Sequence, residues 1–158
     1  GMDLAAACGL CCDALTVGRQ KVNLLGRNLY TLGGRSIDPP EYGILAAQGA
    51  HLYTPEELAG DRLGRVLADL LPRLADKRVH ISFDVDSLDP SQFSSTGYLL
   101  PNGLTLDQVR AILQAVLRTG RTCSFECVEY NPSLDRDGRD LATLLDIFRL
   151  VSDTLAKT

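Results

Sequence analysis

Two β-type runs separated by one capped helix constrain this chain more than any other feature. Residues 79–84 (VHISFD) and 122–128 (TCSFECV) are dense in β-branched and aromatic residues. Between them, Thr105 and Gln108 form a capping box ahead of Leu106, Val109, Ile112, Leu113, Val116 and Leu117 at helical spacing, and Gly120 closes the helix. A strand, a helix and a strand in that order make a right-handed crossover and a parallel pair. The rest follows suit. Residues 28–33 and 50–53 read as short strands around a helix at 41–48, and a weak strand is expected at 21–25. A short helix is expected at 3–15. Another opens at Thr54, with Pro55 at N1 and Glu57 at N3, presenting Leu63, Val66, Leu67, Leu70, Leu71 and Leu74 before Pro72 ends or kinks it. A last helix spans 138–155, with Leu141, Leu144, Leu145, Phe148, Val151 and Leu155 inward. The expected class is α/β: a three-layer α/β/α unit with a mostly parallel sheet of four to five strands, forming one domain over residues 1–158.

Composition narrows the function classes. The 158 residues are 45% hydrophobic and 23% charged, a globular balance. Sixteen Lys and Arg against 20 Asp and Glu leave a net charge of −4, which disfavours nucleic acid. No run approaches the roughly 20 apolar residues of a membrane span. Gly1 ahead of Met2 reads as a tag remnant. Five cysteines without an export signal suit reduced thiols in a cytoplasm. Cys8 and Cys11 have the spacing of half a zinc knuckle, but no second pair follows, and they read as small residues of an Ala-rich helix. Cys123 and Cys127 are expected to share one buried side of their strand.

Candidate chemistry lies where the two runs end. In parallel α/β sheets ligands bind beyond the carboxyl ends of the strands. The first run continues into Asp84, Val85 and Asp86, two carboxylates that share a side in an extended chain and suit a hard divalent cation. The second ends at Glu129, Tyr130, Asn131 and Pro132. Turn and cap chemistry accounts for either group taken alone. His51 and His80, the two histidines of the chain, read as ordinary structural residues.

The string SFDVDSLDP at 82–90 resembles the signature of the ureohydrolases, the arginase and agmatinase family. Thr96-Gly97, the NGLT of 102–105, the EYNP of 129–132 and the LGGRSIDP of 32–39 resemble further segments of that family in the same order, so the resemblance covers nearly the whole chain. It implies a two-manganese centre whose bridging hydroxide attacks a guanidinium carbon and releases urea. By position it implies that Asp84 and Asp86 are metal ligands and that Glu129 receives the substrate guanidinium. The sequence departs from the family pattern too. No Asp-x-His-x-Asp string occurs, Tyr98 stands where a small hydroxyl residue is usual, Asn102 replaces a glycine and Gln108 a glutamate. The resemblance therefore reaches only a C-terminal half. Three readings follow: half of a hydrolase site completed by another polypeptide, a non-catalytic truncated relative that is either a remnant or the binding partner of a full-length enzyme, or a module that holds a guanidino compound. A homo-oligomer or a partner polypeptide is expected for the chain.

Overall fold

A computed structural model describes residues 2–15 and 22–158. The chain divides into two compact units, Gly1–Thr54 and Pro55–Thr158.

The first unit carries α1 (Met2–Ala7), β1 (Tyr30–Leu32), α2 (Pro39–Ala47) and β2 (His51–Tyr53). The expected helix over 3–15 stops at Ala7, because Gly9 turns left-handed at φ 72° and its amide bonds back to the Ala6 carbonyl. Only a 3-10 turn at Asp13–Leu15 follows. Residues 22–25 form no strand, and Lys21 lies outside the described residues. Helix α2 starts two residues earlier than its expected range. Pro39 and Pro40 fill its first positions, and Glu41 Oε2 accepts the Asp38 amide at 3.1 Å. Strands β1 and β2 pair in parallel, Tyr30 opposite His51, and those two rings stack 4.5 Å apart. His51 is thus a packing residue.

The second unit carries α3 (Arg62–Arg73), β3 (Val79–Asp84), α4 (Leu106–Leu117), β4 (Thr122–Val128) and α5 (Arg139–Leu155). Helix α3 does not begin at Thr54. The amides of Leu58 and Ala59 bond to Pro55 and Glu56 in separate turns, and Gly60 at φ 57° breaks the run. Pro72 sits in the last turn of α3, one residue before the helix ends at Arg73.

Strands β3 and β4 have the bounds the sequence implies and run parallel. Ile81, Phe83, Phe125 and Cys127 take the more buried side of the pair, while His80, Ser82, Ser124 and Glu126 are exposed. Phe125 meets Phe148 of α5 edge-on at 6.0 Å. A register shift between Val79 and His80 places Thr122 opposite Val79 and Ser124 opposite His80, so Cys123 is skipped and becomes exposed. The two cysteines of β4 therefore do not share a buried side.

The core of this unit is built from Leu70, Phe83, Val85, Leu88, Phe93, Leu104, Leu113, Leu117, Leu144 and Ile147, all nearly inaccessible. On α5 the buried stripe is Leu144, Ile147 and Val151. Leu141, Leu145, Phe148 and Leu155 are exposed, contrary to the expected inward face. The helix carries two apolar stripes and this unit covers one. Helix α4 has the capping box read from the sequence: Thr105 Oγ1 accepts the Gln108 amide at 3.2 Å and Gln108 Oε1 accepts the Thr105 amide at 2.8 Å. Gln108 Nε2 also donates to the Leu58 carbonyl at 2.8 Å. A glutamate could not make that third bond.

Gly103 holds the long 87–103 loop against the strand end. Its Cα lies so close to Leu88 and Asp89 that a Cβ would stand 2.6 Å from the Leu88 carbonyl oxygen. The contact lets Leu88 and Leu104 form a parallel bridge, closed by the Leu104 amide on Ser87 O at 2.8 Å.

Candidate active-site carboxylates

Asp84 is the last residue of β3, and the chain turns at once into a 3-10 turn at Val85–Ser87. The turn is self-made. The Asp86 amide donates to Asp84 Oδ1 at 3.2 Å, and Ser87 Oγ donates to the Asp84 carbonyl at 2.6 Å. Val85, wholly inaccessible, pins it from below. Asp84 stands opposite Val128 in the ladder, so Glu129 follows directly beyond it on the neighbouring strand. The parallel register is what gathers Asp84, Asp86 and Glu129, which are 45 residues apart at their extremes in the chain.

The gathering has an electrostatic signature. Burial pushes the Asp84 carboxyl up to about 6, and the charges of Asp86 and Glu129 push the same way. The Cys127 thiol, half-buried and beside Asp84, is pushed up to about 11 and is no nucleophile at neutral pH. Asp89 differs sharply: the Ser91 hydroxyl and amide hold its carboxyl down to about 2, and Gly103 adds an amide at 3.2 Å. It is a turn residue of the loop.

Glu129 is exposed and takes φ 68°, in the left-handed region that non-glycine residues avoid. Its neighbours are well fixed. Thr96 forms an antiparallel bridge with Tyr130, and the Asn131 amide donates to Ser95 O at 2.8 Å. Tyr130 packs edge-on against Phe93 and donates its hydroxyl to Asp135 Oδ2 at 3.0 Å. The same oxygen accepts the Leu141 amide at 2.8 Å. Asp140, in the first turn of α5, accepts the Ser94 and Ser95 amides on Oδ2 at 3.0 and 2.8 Å. Neither Asp135 nor Asp140 stands out in the sequence. Asp140 falls in the first turn of α5, where carboxylates are common for other reasons, and Asp135 lies ahead of its N-cap Gly138.

His80 is not part of this group. It sits four residues back along β3, about 13 Å at strand rise. Its Nδ1 meets Ser124 Oγ at 2.8 Å and its Nε2 meets Glu126 Oε1 at 3.4 Å.

A divalent cation such as manganese takes about six ligands. Among the described residues no group of three or more His, Cys, Asp or Glu side chains converges on a metal position. Asp84 and Asp86 offer two carboxylates. The residues present do not make a two-metal centre by themselves. No described helix is long and apolar enough to cross a membrane.

Comparison with known proteins agrees with the string at 82–90. The Arginase family model matches residues 15–154. An arginase of Emericella nidulans is 38% identical over 119 residues, covering 75% of this chain and 36% of its own length. An arginase of Coccidioides posadasii is 34% identical over 143 residues, covering 87% of this chain and 44% of its own. Among solved structures, Bacillus caldovelox arginase superposes with TM-score 0.81 at 28% identity, over 96% of this chain and 50% of that one. Entamoeba histolytica arginase, solved with L-ornithine, gives TM-score 0.83 at 24% identity, over 94% and 50%. The fold is thus the α/β/α arrangement of arginases, and the chain spans half or less of the length of these proteins. By family model and by sequence identity alike, this chain belongs to the arginase family.

Proposed function

We propose that this chain supplies one wall of a ureohydrolase site that hydrolyses a guanidino C–N bond of an arginine- or agmatine-type substrate. Asp84 and Asp86 are the manganese ligands of that wall, and Glu129 receives the guanidinium. One observation carries the reading: Asp84, Asp86 and Glu129 are gathered at the ends of two parallel strands by the register and by the turn after Asp84. Crowded carboxylates repel one another, and a cation removes that repulsion. The remaining donors come from outside the described residues, among which no group of three converges on a metal, whether from sequence beyond these residues, a second copy or another polypeptide. The same acidic group fits a second reading, in which the chain binds a guanidino compound without chemistry of its own.

Calorimetric titration of Mn(II), with D84N/D86N as control, tests the metal wall. Micromolar binding lost in the double variant supports it, and urea release from agmatine or arginine is then assayed with and without an added histidine-bearing arginase half. No binding in either protein removes the metal reading. Light scattering at high concentration tests the second copy, which a strictly monomeric species excludes.

A further inference from the structure

The Glu129 backbone needs outside support. A left-handed glutamate at a strand end relaxes to extended backbone unless its flanks are held. On its C-terminal side the holding partner is the 94–96 loop, through the Asn131 amide on Ser95 O at 2.8 Å and the Thr96–Tyr130 bridge. The loop in turn needs an anchor. The Thr96 side chain is not that anchor, since its buried hydroxyl meets no partner among the described residues. Asp140 is. It is 9% exposed, and its Oδ2 collects the Ser94 amide at 3.0 Å, the Ser95 amide at 2.8 Å and the Ser94 hydroxyl at 3.4 Å. A buried carboxylate is tolerated only when hydrogen-bonded in this way, and charge-assisted bonds of this kind are stronger than neutral ones.

We infer that Asp140 is a positioning residue: it fixes Glu129 for a guanidinium by anchoring the 94–96 loop against Tyr130 and Asn131. The inference rests on the reading of Glu129 given above. It assigns α5 a part in the site although no residue of α5 belongs to the carboxylate group.

Amide hydrogen exchange and agmatine titration, both followed by NMR on the whole chain, test it. In D140A, exchange at Asn131 rises about tenfold relative to the core amide of Leu113, and agmatine binding read at the Glu129 amide weakens about tenfold. D140N keeps one acceptor oxygen without the charge and falls between, about threefold on each readout. Exchange at Asn131 that merely follows Leu113 in D140A means that Asp140 stabilises the unit globally, and the inference is overturned. It is equally overturned if agmatine binds D140A as it binds the unmodified protein. Should D140A not fold, D140N decides: a local threefold rise at Ser95 and Asn131 supports the anchor, and no local change removes it. If agmatine moves no Glu129 signal in the unmodified protein, the guanidinium reading falls, while the exchange data still decide whether Asp140 holds Glu129.

Discussion

The Asp86 amide donates to Asp84 Oδ1 at 3.2 Å, so one 3-10 turn places two carboxylates side by side. Burial and the neighbouring charges win over that hydrogen bond, and the Asp84 carboxyl rises from 3.8 to about 6. A carboxyl raised on folding binds its proton more tightly in the native state. Its stabilising contribution is therefore complete below about pH 3.8 and is lost as pH climbs through about 6. Urea denaturation of the unmodified protein and D84N across pH 4–8 reads the difference. D84N gains relative stability as pH rises through that window. A difference that stays constant with pH contradicts the crowding.

Gly103 tests the fit of the long loop. A Cβ there meets backbone, at 2.5 Å from the Asp89 nitrogen, and neither chain can yield cheaply. G103A is expected to destabilise by about 1–3 kcal/mol, the usual cost of overpacking. A melting temperature equal to that of the unmodified protein would show that the loop has slack.

Glu129 separates stability from binding. Its φ of 68° is one that glycine adopts without strain. E129G is expected to be as stable as the unmodified chain or more so, by up to about 1 kcal/mol. It is also expected to lose its response to agmatine. A clear loss of stability in E129G points instead to a structural contact of the Glu129 side chain.

Gln108 explains one departure from the family pattern. Q108E retains the acceptor for the Thr105 amide but not the donor to Leu58 O. The unpaired carbonyl and the added charge beside it should cost about 1–2 kcal/mol. Thermal unfolding checks this, and an unchanged midpoint means that water replaces the lost bond.

Much of the second unit was legible in the sequence. Strands β3 and β4, the Thr105–Gln108 cap and the positions of Asp84, Asp86 and Glu129 at strand ends follow from local pattern, because strand periodicity and capping are short-range effects. The Thr54 box misled, since a cap signature also opens a tight turn when a left-handed glycine follows. The α5 face misled because two apolar stripes on one helix do not say which is covered.

What the sequence determined alone was the family, through the string at 82–90, and the alternation of elements that forces parallel strands. Tertiary structure decided the rest. Parallel register brought Glu129 next to Asp84 from far along the chain, and that proximity raised the Asp84 carboxyl. Tertiary structure likewise turned Asp140 from an ordinary helix-start acid into the anchor of a distant loop. Charge coupling and buried hydrogen bonds act through space over a few ångströms, and sequence spacing carries no record of which residues the fold brings that near.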